Sequence, residues 1–172
     1  MTKSEAKDAM RSQLGMELNP KKALIGVFLD YPLTSKQAEM IQGVIPAVQA
    51  VGIQLAIIAD DKSLSLFENS SFTIPLTRKN RKLMLDATDI SICLPFNDVE
   101  EMQLHGIVPV SSPRKEISDY NPNSETGNAF IFHREDTWNL FATLVRALET
   151  FKFPYDWKHI VKRGVERDHH LV

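Results

Sequence analysis

Ala23-Leu24-Ile25-Gly26-Val27-Phe28-Leu29 is a continuously apolar run, and Gln54-Leu55-Ala56-Ile57-Ile58-Ala59 is a second one. Runs of this kind, bounded by turn signals, predict strands buried on both faces. Between them lies Lys36 to Val51, with Met40, Ile41, Val44, Ile45, Val48 and Val51 at three- and four-residue spacing. That spacing gives one apolar helical face. Thr34 and Gln37 suit a capping box at its start, and Gly52 suits the left-handed position past its end. Gly43 and Pro46 predict a kink. The unit is βαβ, so its crossover is expected to be right-handed and its strands parallel.

The same alternation continues outward. Ser4 to Leu14 reads as a short helix with Ala6, Met10 and Leu14 on its apolar side, and Gly15 stops it. After the second strand, Asp60 to Ser71 reads as a loop with one helical turn at Leu64 to Phe67. Strands are expected at Phe72–Ile74, Ile90–Leu94, Val108–Val110 and Ala129–Phe132. Helices are expected at Arg78–Ala87, from the Asp98 cap to His105, at Arg134–Phe151 and from Pro154 to Gly164. The tail, Glu166 to Val172, reads as frayed. The fold class is therefore α/β: one Rossmann-like domain over residues 1–172, with a mostly parallel sheet of about six strands and helices on both faces. In such sheets ligands sit at the carboxyl ends of the strands. The ligand region is accordingly formed by Asp30 to Lys36, Asp60 to Lys62, Phe96 to Asp98 and Ser111 to Lys115.

Composition narrows the function classes. The chain has 172 residues, 43% hydrophobic and 24% charged, enough for one well-cored domain. Its formal charge of -2 gives no global signal for nucleic acid or anionic membrane. No apolar run approaches the roughly 20 residues that span a bilayer, and the polar N-terminus does not read as a signal peptide. A single cysteine, Cys93, excludes an internal disulfide, so a reduced, cytoplasmic setting is expected. Cys93 lies in an apolar strand, where packing rather than nucleophilic chemistry is its expected role. There is no Gly-x-Ser-x-Gly elbow, phosphate-binding Gly-rich loop or dinucleotide fingerprint. His105, His133, His159, His169 and His170 are scattered, so no metal site is expected. Trp138 and Trp157 read as core residues of their helices.

The candidate chemistry is anion binding. Thr34, Ser35 and Lys36 stand where a helix begins after a strand, and free N–H groups there favour phosphate. The alternative for Lys36 is a solvated lysine beside a cap. Arg78 and Lys79, followed by Arg81 and Lys82, make a basic first turn that opposes the helix dipole. With Arg114 and Lys115 they form a candidate anion patch; the alternative is a solvated face. No aromatic residues are interleaved with them, which disfavours nucleic acid. Glu100 and Glu101 read either as carboxylates near a donor sugar or as first-turn residues that stabilise a helix by roughly 0.3–1 kcal/mol.

Four stretches add a resemblance. They are Ala6 to Met16, Leu24-Ile25-Gly26-Val27, Lys36 with Pro46 and Gln54-Leu55-Ala56-Ile57-Ile58, and Thr126-Gly127-Asn128-Ala129-Phe130-Ile131-Phe132 with Leu140–Leu148 and Trp157–Gly164. In order and spacing they resemble the C-terminal, nucleotide-sugar-binding half of a bacterial glycogen or starch synthase, a GT-B glycosyltransferase. The resemblance implies an ADP- or UDP-sugar ligand, Lys36 on its diphosphate, no cofactor, and a separate N-terminal domain that supplies the acceptor site. The departures are specific. Leu29-Asp30-Tyr31-Pro32 stands where the family has an Arg on the diphosphate, and an Asp there would repel it. The family's Glu-Pro-x-Gly-Leu segment, which holds the donor sugar, is missing between Pro95 and Glu100. Ser112-Pro113-Arg114-Lys115 replaces a Thr-Gly-Gly turn. The resemblance thus implies a pseudoenzyme with no catalytic residues of its own and weak nucleotide affinity. Its alternatives are the donor half of a split enzyme, a non-catalytic interaction module or a decayed gene product.

Overall fold

The computed structural model of the chain describes residues 1–67 and 72–166. The elements run α1 (Lys3–Leu14), β1 (Leu24–Leu29), α2 (Ser35–Ala50), β2 (Gln54–Ala59), α3 (Asp61–Leu64), a single 3-10 turn (Ser65–Phe67), β3 (Thr73–Pro75), α4 (Arg78–Ala87), β4 (Ile90–Cys93), α5 (Val99–Leu104), β5 (Val108–Ser111), β6 (Phe130–Ile131), α6 (Thr137–Phe151) and α7 (Pro154–Glu166). The strands form one sheet in the order β3-β2-β1-β4-β5-β6. Every pair is parallel, and β1 and β2 stand in register from Leu24 against Gln54 to Leu29 against Ala59. The βαβ reading of residues 23–59 holds, and the sheet is the six-stranded α/β sheet expected.

Alternation along the two central strands divides the core. Ile25, Val27, Leu29, Leu55 and Ile57 pack against α2, α6 and α7, with Met40, Val44, Leu144 and Trp157. Leu24, Phe28, Ala56 and Ile58 face the other way, toward α1, α4 and α5, with Met10, Met84 and Met102. Successive strand side chains point to opposite faces, so both runs must be apolar throughout.

Close packing explains two glycines. A Cβ on Gly26 would lie 2.8 Å from Thr88 Oγ1 and 2.9 Å from Met84 Cε, so α4 reaches β1 only because that atom is missing. A Cβ on Gly43 would lie 2.5 Å from Thr137 Oγ1, where α2 meets the first turn of α6. α2 runs from Ser35 to Ala50 with Pro46 inside it. Pro46 has no N–H to give the carbonyl of Gln42, four residues back, and Gln42 is an exposed residue of the helix.

Several boundaries move. β3 begins one residue later than expected, and the helical turn after Asp60 begins earlier, at Asp61, because Asp60 caps it through a 2.8 Å bond from Ser63 N. α6 begins at Thr137 rather than Arg134, since Asp136 accepts a 2.8 Å bond from Asn139 N as the cap. Trp138 is not a core residue: it is 80% exposed. The buried stripe of α6 is Leu140, Thr143, Leu144 and Ala147, and at 100° per residue Trp138 lies on the opposite side. Trp157 is buried as expected, its ring stacked on Phe130 at 6.2 Å. Residues 68–71, part of the expected loop, lie outside the described residues. The tail expected to fray begins at Glu166, which is instead the last residue of α7; the rest of it, residues 167–172 with His169 and His170, also lies outside the described residues. Among the described residues no helix is long and apolar enough to cross a membrane, and no group of three or more His, Cys, Asp or Glu could hold a metal ion.

Candidate functional site at the carboxyl ends of the strands

The turns after β1, β4, β5 and β6 converge at one end of the sheet, and the expected phosphate residues lie there. Thr34 caps α2 in a capping box: its hydroxyl accepts from Gln37 N at 3.2 Å, and Gln37 Oε1 accepts from Thr34 N at 2.9 Å. The Thr34 hydroxyl thus serves the helix, and Ser35 and Lys36 carry the first helical N–H groups, which have no partner inside the helix. No acidic residue lies in the first turn of α2. Lys36 Nζ is 4.0 Å from Glu135 Oε2, and its side chain is 72% exposed. The cleft beside it, walled by Met40, Cys93, Pro95, Ser112 and Phe132, holds about 10 Å³. Burial pushes the Cys93 thiol up to about 11, so it faces this cleft as a neutral group.

The structure does not use the basic residues as one patch. Arg114 is engaged internally: Nη1 donates to Asn97 O at 2.6 Å, Nη2 donates to Leu94 O, and Nε donates to Ser111 Oγ at 3.2 Å. It holds the β4–α5 turn against the end of β5. Arg78, Lys79 and Lys115 are exposed. That turn is further fastened by Asn97, which is buried. Its Oδ1 accepts from Leu94 N and its Nδ2 donates to Phe28 O, both at 2.8 Å. A side chain of the short turn thereby ties the end of β4 to the end of β1.

The strongest electrostatic feature here comes from three separate elements. Arg81 on α4 forms a two-pronged pair with Asp30, Nε to Oδ1 at 3.0 Å and Nη2 to Oδ2 at 3.1 Å, and Nη2 also meets Glu101 Oε1 at 2.6 Å. The side chains of the three are between 22% and 34% exposed. Two carboxylates drive the guanidinium pKa above its ordinary value, the hydrogen bond to Asp30 contributing most. The cationic first turn of α4 is thus offset by anions of the chain itself. Asp30 does not stand free to repel a ligand, as its place after β1 implies; it carries an internal counter-cation. Glu100 and Glu101 do lie in the first turn of α5, whose cap is Asp98, accepting from Glu100 N and Glu101 N. The sequence signal for the triad is slight: a cation one turn into a helix that has no acidic residue in its first turn.

Comparison with known proteins follows this geometry. No family model matches the chain. Over 68 residues it is 38% identical to a glycogen synthase of Gloeobacter violaceus, a match that covers 37% of this chain and 15% of that protein. In structure it is similar to the catalytic domain of starch synthase IV from Arabidopsis thaliana bound to ADP and acarbose, with a TM-score of 0.76 and 18% identity, over 95% of this chain and 38% of that one. It is also similar to the C-terminal domain of LpcC, a group 1 family glycosyl transferase from Francisella tularensis, with a TM-score of 0.65 and 12% identity, over 98% of this chain and 92% of that one. The six parallel strands and their flanking helices therefore have the fold of a GT-B glycosyltransferase C-terminal domain. Among proteins of that fold, its sequence similarity is to glycogen synthases and its structural similarity includes a starch synthase. It spans well under half the length of the synthases it resembles.

Proposed function

We propose that the chain is a glycogen or starch synthase-like C-terminal domain that binds sugar nucleotides weakly at the strand ends and transfers no sugar by itself. One observation carries the reading: the cleft beside Lys36 holds about 10 Å³, whereas ligand pockets occupy roughly 300–1,000 Å³. Lys36 and the N-terminus of α2 still offer a diphosphate one cation and two N–H groups. Arg81 and Arg114 add no free charge to it, because they are held by Asp30, Glu101 and backbone carbonyls. Affinity for ADP-glucose is accordingly millimolar rather than micromolar, a gap of roughly 4 kcal/mol. Transfer also requires an acceptor held against the donor, and that positioning supplies roughly 7–11 kcal/mol of a barrier. The test is incorporation of labelled glucose from ADP- or UDP-glucose into glycogen by the pure chain. No turnover is expected; turnover abolished by Lys36→Ala overturns the reading.

A second reading, the donor half of a split enzyme, is favoured by Trp138, 80% exposed, and Tyr31, 62% exposed, both at the same end of the sheet. A separately produced acceptor domain that quenches Trp138 fluorescence and restores glucose incorporation supports it.

A further inference from the structure

Another depression, which shares no residue with the strand-end cleft, lies between the β5–β6 connection and α7. It holds about 90 Å³ and is lined by Tyr120, Glu125, Tyr155, Asp156, His159 and Arg163. That is room for about three waters at ~30 Å³ each.

The polar groups around it converge without satisfying one another. Among the described residues no ion pair links Arg163 to Glu125 or Asp156. Arg163 donates through Nε to Gly127 O at 2.7 Å, which aims the guanidinium and leaves its outer nitrogens available. Burial raises the Tyr120 hydroxyl pKa, Asp156 and Glu125 raise it further, and Arg163 lowers it, so all three charges act on the same hydroxyl. The Tyr155 ring is 69% exposed and is braced by the His159 ring at 4.3 Å. His159 Nδ1 lies 2.8 Å from Tyr155 O. A carbonyl only accepts, so Nδ1 carries a proton.

The wall opposite α7 is held in place. Asn121 N donates to Thr126 O at 2.8 Å, and Tyr120 N donates to Ala129 O at 2.8 Å. Asp119 takes Arg146 through both oxygens and accepts from Ile131 N at 2.9 Å. Gly127, at φ 100°, permits the chain to pass so close that a Cβ would lie 2.4 Å from Asp119 O. Glu125 sits at φ 54°, a conformation uncommon for a residue with a Cβ, and one that clusters at functional sites.

We infer that this depression is a saccharide subsite, taking one edge of a neutral sugar ring whose hydroxyls bridge Glu125, Asp156 and Arg163 while a ring face lies on Tyr155. Charge selects the ligand class. Two carboxylates against one guanidinium leave the depression net negative, which disfavours an anion, and the guanidinium gives it a donor that a cation cannot use. A neutral polyol donates hydroxyl protons to the carboxylates and accepts from the guanidinium, so it satisfies both signs at once. The exposed tyrosine supplies an apolar face beside polar groups, as sugar faces require. The inference is independent of the nucleotide reading, because no residue is shared with the Lys36 cleft.

The test is titration of the full chain by 1H–15N NMR with maltotriose as probe, with choline and inorganic phosphate in parallel. Maltotriose is expected to move the amides of Tyr120, Glu125 and Tyr155, with choline and phosphate leaving them still. Tyr155→Ala, and separately the pair Glu125→Gln with Asp156→Asn, are expected to weaken binding at least ten-fold, while Lys36→Ala leaves it unchanged. The exposed substitutions keep the remaining spectrum in place, which separates lost binding from lost fold. Absence of maltotriose shifts at these amides, undiminished shifts in both variants, or shifts with choline or phosphate in place of maltotriose each overturn the proposal.

Discussion

The two ends of the sheet carry opposite kinds of charge chemistry. At the amino end, Lys7 and Asp89 form a 2.7 Å pair with side chains only 8% and 6% exposed. Asp89 also accepts from Leu24 N at 2.8 Å, and Lys7 also donates to Lys22 O at 3.1 Å. Arg11, 1% exposed, reaches Gln54 Oε1 and Lys22 O, both at 2.7 Å. Here charges are buried, paired and saturated, so they set how α1 docks on the sheet. At the carboxyl end Lys36 is exposed and only loosely placed against Glu135. The Arg81 triad stands between these extremes. Saturated charge holds a fold, whereas a ligand needs charge left over.

The comparison breaks most visibly at Asp89. Asp89→Ala strands the Lys7 ammonium in a dry site and leaves Leu24 N–H without its acceptor. Breaking a buried pair from one side costs about 3–5 kcal/mol. Urea denaturation should show that loss; a loss below 1 kcal/mol would mean that water reaches Lys7.

Arg81→Met sharpens the middle case. It removes the cation between Asp30 and Glu101 and leaves two part-exposed carboxylates facing one another. Charge-assisted bonds of this kind, discounted for solvent, suggest a loss of about 1–2 kcal/mol. The expected signature is a lowered urea midpoint that recovers in part with added salt, since screening relieves the carboxylates. A midpoint unmoved at low salt would show that the triad holds nothing in place.

Much of this was legible in the sequence. Residues 23–59 read correctly because a strand buried on both faces leaves an unbroken apolar run, and a helix between two strands shows its period. The Thr34–Gln37 box and Gly52, at φ 70°, were readable because capping is local. What stayed hidden depends on distant pairing. Lys7 and Arg11 look like the wet side of a short helix until Asp89, just before β4, and Gln54, at the start of β2, reach them. Asp30, Arg81 and Glu101 come from three elements, and no spacing rule links them. Asn97 looks like an ordinary turn residue, yet it ties β4 to β1. Trp138 misled because it stands at helical spacing with Phe141, Leu144, Val145 and Leu148, whereas the stripe that is buried runs through Leu140, Thr143, Leu144 and Ala147. At the candidate site Lys36 and its helix start were readable, whereas the narrowness of the cleft depends on Cys93 of β4 and on residues that follow β4, β5 and β6.

The smallest effect on stability is expected at Lys36, and it sets the other limit of the comparison. Its ammonium is 4.0 Å from Glu135, and the two side chains are 72% and 47% exposed. Exposed pairs of this geometry contribute about 0–1 kcal/mol, and surface substitutions usually fall within about 0.5 kcal/mol. Lys36→Ala should therefore leave the urea midpoint unchanged within error. Ligand response should behave in the opposite way. If charge left over at the carboxyl end is what a diphosphate meets, the ADP-glucose shifts at Ser35 and neighbouring amides should shrink in Lys36→Ala while persisting in Asp89→Asn under conditions where that variant is folded. Equal loss in both would tie the shifts to general loosening of the sheet. Loss of stability in Lys36→Ala would instead place Lys36 among the structural charges, and the division between the two ends of the sheet would fail.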